Sequence, residues 1–467
     1  MPYSNERGVC VSDKKTIHFI GVGGAGMSGL AEVFSKHGYY VQGSDIKKSV
    51  VTDRLEKSGI LIKEFHSAEN IQSADFVVYS SCITDDNPEL KEARRKAVPI
   101  LRRIEALNML MKDKKIIAVS GAHGKTTTSS LISYLLIKAG LDPTVFIGAD
   151  VEFLGGNACY GESDLVVTEA DESDGSFLLL KPLYSVSTNV DREHMDYYYN
   201  MDNVINAYKK FIGNTMEKGK AFVCVDDPLL RNIIRDVPKR IVKYGFSPDA
   251  GIRADNIKLI GLKGSRFDVL VNNKTLGTVE LSLLGEHNIL NTLAAIGVAM
   301  DLGVKFSFIK EVISKFKGAD RRFKVRRLNS DILVIDDYAH HPTEIKATLR
   351  VLEDAKKRIV AVFQPHRYSR TKYLREEFGN SFNLADHLVI TDIYSAHEEP
   401  IDGVSAIDLC ESAKKYGHKN VHFVPRDAII KHLKAIVRPG DAVFILGAGD
   451  IGELPDMVVK ALENNAD

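Results

Sequence analysis

The chain has 467 residues, of which 62 are Lys or Arg and 62 are Asp or Glu, so its formal net charge is zero. A chain of this length is too long for one hydrophobic core and is expected to form about two to four domains. Its balanced charge gives no electrostatic reason to bind nucleic acid or an anionic membrane, and we predict neither as a partner.

The five cysteines are scattered and odd in number, and none of them shows C-x-x-C spacing. This pattern argues against a disulfide framework or a zinc site and favours reduced thiols. No apolar run approaches the roughly 18 residues that a membrane-spanning helix needs, and Met1–Asp13 lacks the apolar centre of a secretory signal. We therefore expect a cytoplasmic protein.

Short β-branched runs alternate with segments of helical periodicity along the whole chain. Strands that are apolar throughout indicate parallel sheets covered on both faces, so we predict an α/β fold. The predicted strands are Ile17–Ile20, Phe76–Tyr79, Ile116–Val119, Leu165–Thr168, Ser185–Ser187, Ala221–Val225, Ile332–Ile335, Ile359–Phe363, Leu388–Ile390 and Ala442–Leu446. Charged breaks at Met111–Lys115 and Lys317–Arg322 predict three domains, at residues 1–112, 113–319 and 320–467.

A glycine-rich turn follows the first predicted strand. Gly21, Gly23 and Gly26 satisfy G-x-G-x-x-G, and Asp45 lies 19 residues beyond the last of them. This is the fingerprint of dinucleotide-binding folds, in which the glycines let the backbone approach a diphosphate, so it suggests an NAD-dependent oxidoreductase. A UDP-sugar also carries a diphosphate, and Gly447–Gly452 matches the same short pattern. The motif alone leaves NAD and a UDP-sugar as alternatives.

The strongest motif is the turn Gly121–Thr126, which joins a buried strand to a helical stretch at Ser129–Ala139. Backbone N–H groups of such a turn, with the helix N-terminus behind them, cradle phosphate oxygens. Lys125 would reach the β- and γ-phosphates of a nucleotide, and the Thr126 hydroxyl would bind Mg²⁺. The general pattern G-x-x-x-x-G-K-[ST] has glycine where this chain has Val119, so a strand–turn–helix with a chance Gly-Lys-Thr is the alternative.

Two further predicted strands end in acidic segments, the second of which also carries a histidine. Four acids occur within six residues, namely Glu169, Asp171, Glu172 and Asp174. They would repel one another unless a cation or hydrogen-bond donors compensate, and Mg²⁺ held by Thr126 and Glu169 is one solution. His194 could hold a second metal, although histidine is an uncommon magnesium ligand. A solvated acidic loop with helix caps is the alternative.

Two asparagines lie near the start of a predicted helix further along the chain. Asn288 and Asn291 are three residues apart, so both amides lie on one helix face and could read the edge of a base. Asparagines that cap helices are common, so this pair by itself is weak evidence for a nucleotide site.

The last third of the chain carries polar groups directly after apolar strands. Arg367 and Arg370 are three residues apart and suited to a bidentate grip on the carboxylate of an amino acid. The other polar residues of these segments are Tyr338, His340 and His366. Helix capping and surface salt bridges are the alternative for each residue alone, but two such segments in one domain favour a site.

Taken together, these segments resemble the Mur ligases of bacterial cell-wall synthesis over essentially the whole chain. The segments that carry the resemblance are Gly21–Gly29, Gly121–Thr128, Glu169–Asp174, Thr188–Asp196, Gly285–Asn291, Asp320–Phe323, Asp336–Glu344 and Gln364–Arg370. The family has its first loop glycine at the position of Gly121, which accounts for Val119. Small departures from the family are Ala122, where threonine is usual, and Ala339, where glycine is usual and where alanine narrows the allowed backbone slightly.

The resemblance implies a Rossmann-like N-terminal domain for a UDP-sugar, a P-loop-type central ATPase domain and a Rossmann-like C-terminal domain for an amino acid. The residues it assigns to the UDP-sugar are Gly23, Gly24, Gly26, Met27, Ser28, Asp45 and Ser81. Those assigned to ATP are Gly121, Ala122, His123, Gly124, Lys125, Thr126, Thr127, Asn288 and Asn291. Those assigned to the amino acid are Tyr338, His340, Arg367 and Arg370.

The same resemblance implies which residues act in the chemistry. The implied catalytic residues are Lys125, Glu169, His194, Arg322, Asp337 and His340. Lys125 would contact the γ-phosphate and Arg322 another phosphate, while Asp337 would be the acid at the boundary between the ATP-binding domain and its neighbour. One Mg²⁺ would be held by Thr126 and Glu169 and a second by His194.

The implied activity is ATP-dependent ligation of L-alanine to the lactyl carboxylate of UDP-N-acetylmuramate through an acyl phosphate, in peptidoglycan synthesis. Met27–Gly29 and the pair Ser80–Ser81 favour this alanine-adding activity within the family. ATP and two Mg²⁺ would be the cofactors, His340 the proton acceptor, and the enzyme a monomer or a homodimer. The alternatives are a tripeptide-recycling or folylpolyglutamate-like ligase, an NAD-dependent oxidoreductase, and a nucleotide-binding regulator without catalysis.

Overall fold

The computed structural model describes residues 15–80, 82–319, 321–396 and 398–463. The chain forms two compact units. One holds the chain up to Ile116 together with Asp142–Thr168, and the other holds Ile117–Leu141 and the chain from Glu169 onward. Across the described ranges, no helix is both long enough and apolar enough to span a bilayer.

The N-terminal part of the chain alternates strands with helices. Its elements are β1 (Thr16–Ile20), α1 (Ala25–Lys36), β2 (Tyr40–Asp45), α2 (Val50–Lys57), β3 (Leu61–Glu64), β4 (Phe76–Tyr79), α3 (Pro88–Arg95), β5 (Ile100–Arg102) and α4 (Arg103–Leu110). The five strands are parallel, in the order β3-β2-β1-β4-β5. The strand order reverses at β1, so the glycine turn between β1 and α1 lies at the carboxyl end of the sheet, where doubly wound folds bind ligands.

The middle of the chain carries the largest number of strands. Its elements are β6 (Lys115–Ser120), α5 (Lys125–Lys138), β7 (Thr144–Val151), β8 (Gly156–Cys159), β9 (Leu165–Glu169), β10 (Tyr184–Ser187), α6 (Met195–Tyr198), α7 (Met201–Gly213), β11 (Lys220–Cys224), α8 (Pro228–Ile233), β12 (Ile241–Gly245), β13 (Ile252–Leu259), β14 (Ser265–Val271), β15 (Lys274–Leu281), α9 (Glu286–Asp301) and α10 (Phe306–Ile313). In the second unit the strands follow the order β15-β14-β13-β12-β11-β10-β6. The strands from β6 to β13 in this series are parallel, and β13, β14 and β15 form an antiparallel meander at the edge. In the first unit β7 pairs in parallel with β9 and antiparallel with β8.

The C-terminal part of the chain again alternates strands and helices. Its elements are β16 (Lys324–Arg327), β17 (Leu333–Asp337), α11 (Pro342–Arg350), β18 (Ile359–Phe363), α12 (Tyr368–Tyr373), α13 (Arg375–Gly379), β19 (His387–Ile390), α14 (Ala406–Lys415), β20 (Val421–Phe423), α15 (Ile429–Ile436), β21 (Ala442–Leu446) and α16 (Leu454–Glu463). The sheet order is β16-β17-β21-β18-β19-β20, and only β16 pairs antiparallel. Leu333 and Ile335 face one buried core, whereas Val334 between them faces the other. Both faces of this sheet are therefore covered, as its apolar strands predict.

The predicted α/β fold with three largely parallel sheets is confirmed, and each predicted strand overlaps a strand of the structure. The limits of the three domains stay predictions, because the division into compact units separates the chain only into two parts. The four cysteines within the described ranges carry free thiols, and they are Cys82, Cys159, Cys224 and Cys410.

Candidate active site

The phosphate loop lies between the end of β6 and the start of α5. Gly121 and Gly124 both have positive φ, at 145° and 85°, a region that favours glycine. A Cβ on Gly121 would overlap the Thr188 hydroxyl, and a Cβ on Gly124 would lie 2.6 Å from the Asn291 amide oxygen. Val119 is a buried residue of β6, so the loop begins with Gly121 and not at the position of the general pattern.

Residues that follow β10 hold this loop in place, a role that the sequence did not indicate although Thr188–Asp196 carries part of the family resemblance. The Thr188 hydroxyl donates to the His123 carbonyl at 2.6 Å. The Asn189 side chain accepts from the His123 N–H at 2.8 Å and donates to its carbonyl at 2.9 Å. The loop therefore depends on contacts between residues more than 60 positions apart, which no local pattern reveals.

The Lys125 ammonium folds back over the loop. Its Nζ donates to the Gly121 carbonyl at 2.6 Å and to both carboxylate oxygens of Glu172 at 2.9 and 3.0 Å. Burial acts to lower the pKa of Lys125, but Glu172 and Asp171 outweigh it and raise that pKa. Lys125 is thus a buried cation beside the loop, and a nucleotide phosphate that binds it must compete with the Glu172 carboxylate.

Thr126 and Glu169 both lie next to Ser129 at the start of α5. The Ser129 hydroxyl lies 3.1 Å from the Thr126 carbonyl and 3.4 Å from Glu169 Oε1, so both predicted Mg²⁺ ligands border the same serine. His194 caps α6 with a left-handed backbone, φ 55°. It interacts electrostatically with the acids around it, which are Asp171, Glu172 and Glu193. The acidic cluster therefore faces the phosphate loop and is not simply a solvated turn.

His123 connects the phosphate loop to the start of α11. Its Nε2 lies 2.9 Å from Asp191 Oδ2, and its Nδ1 lies 3.3 Å from Glu344 Oε1. The Thr343 hydroxyl donates to Asp191 at 2.6 Å. Burial acts to lower the pKa of His123, but hydrogen bonds to Asp191 and Glu344 outweigh it and raise the pKa to about 10. The imidazole is therefore a cation at neutral pH and joins residues of two sheets.

A cavity of about 380 Å³ opens beside this network, within the range of small-molecule sites. Its apolar wall is formed by Leu262, Leu283, Phe323 and Val325. Its polar lining includes the predicted residues His123, Gly124, Thr127, Asn288, Asn291, Arg322 and Asp337. The structure therefore gathers most of the residues assigned to ATP, from segments far apart in the chain, around one apolar cleft.

The two asparagines lie on one face of α9, as their spacing predicts. Asn288 donates to the Leu284 carbonyl at 2.8 Å, and Asn291 donates to the Asn288 amide oxygen at 3.1 Å. Asn291 is buried beside Gly124. Asn291 therefore lies next to the phosphate loop. Asn288 lines the cavity beside the apolar residue Leu284, to whose carbonyl it donates.

Asp337 ends β17 inside the cavity. Its carboxylate accepts from the Ala339 N–H at 2.7 Å and from the Phe323 N–H at 2.8 Å. Burial raises the pKa of Asp337 to about 6, against the opposing effect of Arg322. Ala339 does not have positive φ, so alanine fits here although the family usually has glycine. The Arg322 guanidinium lies over the Tyr338 ring, 5.0 Å from its centroid.

The two predicted amino-acid-binding arginines have different surroundings. Arg370 makes two hydrogen bonds of 3.2 Å to the Glu193 carboxylate, and only 9% of its side chain is exposed. Arg367 has 35% of its side chain exposed and approaches acids no closer than 3.9 Å. Its φ of 73° is uncommon for a bulky residue and is typical of strained functional positions. Arg367 is therefore the arginine whose charge is available to a ligand.

The surroundings of two partly buried histidines determine where their protons lie. His340 Nδ1 lies 3.0 Å from the Tyr338 carbonyl, which can only accept, so Nδ1 carries the hydrogen and Nε2 has the free lone pair. His366 Nδ1 lies 3.0 Å from an Arg370 nitrogen, which can only donate, so His366 carries its hydrogen on Nε2. Burial lowers the pKa of His340 to about 4 and that of His366 to about 3. Of these two neutral rings, His340 is the one with a free basic nitrogen.

Replacing Arg370 by methionine is expected to destabilise the fold by about 3 kcal/mol, because the Glu193 carboxylate would stay buried without its partner. Burial raises the pKa of Glu193, but Arg370 outweighs it and lowers that pKa. The Arg370–Glu193 pair therefore makes its full contribution to the free energy of unfolding above pH about 4.3. This contribution is lost as the pH falls toward the lowered pKa of Glu193. Urea unfolding at pH 7 and at lower pH measures both effects.

Two further variants control that measurement. Arg370→Met with Glu193→Leu removes both charges and should recover most of the lost stability. Arg192→Met breaks an exposed ion pair with Glu377 of similar length, 3.1 Å, and should have a far smaller effect. Equal losses for Arg370→Met and Arg192→Met would contradict the assignment of a buried pair.

The glycine turn of the N-terminal sheet is closed by Asp45. The Gly23 N–H donates to Asp45 Oδ2 at 2.8 Å, and a Cβ on Gly23 would lie 2.9 Å from the same oxygen. Met27 and Ser28 are almost fully buried, so they support the turn from within α1. Ser81 lies outside the described residues. The assignment of this turn to a UDP-sugar stays a prediction.

A parallel sheet with a phosphate loop, an acidic cluster facing that loop and a cleft lined by residues of the C-terminal sheet are the features of an enzyme that binds a nucleotide. Three family models match the chain in succession: "Mur ligase family, catalytic domain" at residues 16–115, "Mur ligase middle domain" at 119–299 and "Mur ligase, glutamate ligase domain" at 321–449. The chain belongs to the Mur ligase family, and the resemblance found in its sequence is confirmed.

Similar proteins extend over nearly the whole chain. A UDP-N-acetylmuramate–L-alanine ligase of Anaeromyxobacter dehalogenans is 45% identical over 453 residues, which are 97% of this chain and 99% of that protein. One of Syntrophotalea carbinolica is 45% identical over 96% of this chain and 98% of that protein. The crystal structure of UDP-N-acetylmuramate–alanine ligase from Thermotoga maritima is 30% identical, with a TM-score of 0.80 over 96% of this chain and 99% of that one.

Proposed function

We propose that this chain is an ATP-dependent ligase that joins L-alanine to the lactyl carboxylate of UDP-N-acetylmuramate, in cytoplasmic peptidoglycan precursor synthesis. The full-length relatives that share 45% of its residues carry this activity in their names. The observation that carries the proposal is the position of the Lys125 loop, which lies beside a cleft lined partly by residues of the C-terminal sheet. The NAD-dependent oxidoreductase that the Gly21 turn suggests has no support from the family to which the chain belongs.

ATP fits the cleft of the second unit. Leu262, Leu283, Phe323 and Val325 offer apolar surface to the adenine ring. The triphosphate follows the loop, where backbone N–H groups and the start of α5 receive its oxygens. The Lys125 ammonium then leaves the Glu172 carboxylate and binds the γ-phosphate. Arg322 lines the same cleft and contacts phosphate oxygens.

The residues at the start of α5 fit Mg²⁺. Thr126 and Glu169 supply the oxygen ligands that this ion prefers, and both border Ser129. His194 would hold a second ion, with the carboxylates of Asp171 and Glu193 close enough to compensate its charge. When bound, Mg²⁺ neutralises part of the charge on the transferring phosphoryl group.

The reaction starts from a carboxylate that resists attack by an amine, because it is an anion with a poor leaving group. Transfer of the γ-phosphoryl group of ATP to a lactyl carboxylate oxygen gives an acyl phosphate and ADP. The Lys125 ammonium stabilises the charge on the transferring oxygens. Exclusion of water then protects the acyl phosphate until the amine of L-alanine arrives.

The second step forms the amide bond. The neutral amine of L-alanine attacks the acyl carbon, the carbon–oxygen bond to phosphate breaks, and inorganic phosphate leaves. His340 Nε2 is the basic nitrogen that accepts the proton of the amine, since Nδ1 is held by the Tyr338 carbonyl. Arg367 pairs with the alanine carboxylate, because the charge of Arg370 is already satisfied by Glu193. The enzyme acts as a monomer or a homodimer.

Release of ADP and phosphate is expected only when ATP, UDP-N-acetylmuramate and L-alanine are all present, because each step needs the product of the previous one. The measurement is coupled detection of phosphate together with mass analysis of the UDP product. Preference for L-alanyl-γ-D-glutamyl-meso-diaminopimelate over L-alanine would contradict the amino-acid assignment and keep the ligase class. ATP binding without amide formation would contradict the ligase class itself.

A further inference from the structure

Three histidines of the C-terminal sheet form a cluster that the proposed reaction does not use. His387 is the first residue of β19, His422 lies on the edge strand β20, and His432 lies on α15. Val389 is opposite His422 in the parallel register, so His387 and His422 project from the same face of the sheet. α15 packs on this face, where Ile429 shares a core with Val389, and it brings His432 to the strand histidines.

The spacing of the rings matches coordination of one ion. The three ring centroids are 4.9, 5.6 and 5.9 Å apart, and Nε2 of His387 lies 3.4 Å from Nε2 of His432. With metal–nitrogen bonds of about 2.0–2.1 Å, a tetrahedral ion holds two of its ligand nitrogens about 3.3–3.4 Å apart. His387 and His432 therefore already stand at the separation of two ligands of one tetrahedral ion.

The third ring is close and can turn. The His422 ring lies nearly parallel to the His387 ring, at 18°, and its side chain is exposed on the edge strand. Binding of one ion by all three rings would require the His422 ring to turn about its side-chain bonds until a nitrogen faces the other two rings. Three imidazoles and one water then complete a tetrahedral set.

The position of the cluster separates it from the reaction. His387 lies at the amino end of its strand, whereas Asp337 ends β17 at the carboxyl end of the same parallel series. An ion at the cluster therefore has no access to the nucleotide cleft. It would instead fasten α15 to the sheet face at the edge strand β20.

We propose that His387, His422 and His432 form a binding site for a divalent transition-metal ion of borderline softness, with Zn²⁺ as its representative. Imidazole nitrogens suit Zn²⁺, Ni²⁺ and Cu²⁺, whereas Mg²⁺ and Ca²⁺ prefer oxygen ligands. The absence of C-x-x-C pairs argues against a cysteine site and leaves a histidine site open. The site is structural, and it links β19, β20 and α15.

Titration of the full-length protein with ZnCl₂ by isothermal calorimetry tests the site. His432→Gln and, separately, His422→Gln are expected to weaken binding at least about tenfold, since even outer partners of a metal ligand are worth 10- to 100-fold. Zn²⁺ should raise the thermal unfolding midpoint of the C-terminal sheet in the wild type more than in either variant. Ligase activity with Mg²⁺ should stay unchanged in both variants.

Two controls make the outcome specific. His37→Gln removes an exposed histidine at the end of α1, and this variant should bind Zn²⁺ as the wild type does. His123, Asp191 and His341 also bring ligand atoms within 4.8 Å of one another, so His432→Gln should weaken Zn²⁺ binding only at the histidine cluster and leave any binding at this second group unchanged. Identical isotherms for the wild type and His432→Gln, or an equal loss in His37→Gln, would overturn the proposal.

Discussion

Replacing Lys125 by alanine is expected to lower kcat for amide formation by about 10³-fold, because the ammonium that stabilises the transferring phosphoryl oxygens is lost. The same change leaves the Glu172 carboxylate buried without its partner, so the fold should also lose stability. Steady-state phosphate release, measured below the unfolding temperature of the variant, separates the two effects.

The double variant Lys125→Ala with Glu172→Gln sharpens this test. Glutamine removes the unpaired charge, so stability should return while activity stays about 10³-fold low. Lys138→Ala, at the exposed last turn of α5, is the matched control and should retain full activity. Near-normal turnover in the double variant would mean that Lys125 does not contact the transferring phosphate, and the phosphate-loop assignment would fail.

Replacing His340 by glutamine is expected to lower the rate of amide formation by about 10²-fold, because the amine of L-alanine loses its proton acceptor. The acyl phosphate forms before the amine attacks, so its formation should continue. Hydroxylamine trapping of the acyl phosphate, compared with amide formation in the same samples, measures the two steps separately. An equal loss in both steps would show that His340 acts on ATP or on the fold and not on the amine.

His366→Gln is the matched control for His340. Both rings are partly buried and neutral, and their centroids are 5.8 Å apart. His366 Nδ1 already accepts from Arg370, so its remaining nitrogen is protonated and cannot act as a base. The rate of amide formation should fall less than about tenfold in this variant, because only the position of Arg370 is disturbed. A loss as large as that of His340→Gln would remove the distinction between the two rings.

The fold and the phosphate loop could be predicted because their signals are local. A continuous apolar run such as Ile359–Phe363 can bury both faces only in a covered parallel sheet, and it forms β18 without a shift of either end. Gly121 and Gly124 have the backbone conformation that the loop needs. The misfit at Val119 disappears once that residue is counted as part of the strand.

The pairing of charges could not be predicted, because it depends on residues that only the tertiary fold brings together. Arg370 and Arg367 look equivalent by spacing, but Glu193, 177 positions earlier, satisfies one and not the other. Likewise, Asp191 and Glu344 raise the pKa of His123 and keep its imidazole protonated. The meander of β13, β14 and β15 was also missed, since its strands alternate exposed and buried residues and lack the continuous apolar run on which the predicted strands rest.

That meander has a mechanical consequence. Leu262 lies in the turn between β13 and β14. It packs against the apolar core of the C-terminal sheet and lines the nucleotide cleft. Separating the two sheets would expose this side chain to water, at a cost of about 1–2 kcal/mol. The turn between β13 and β14 therefore helps to hold the two sheets together, although it contributes no group to the proposed chemistry.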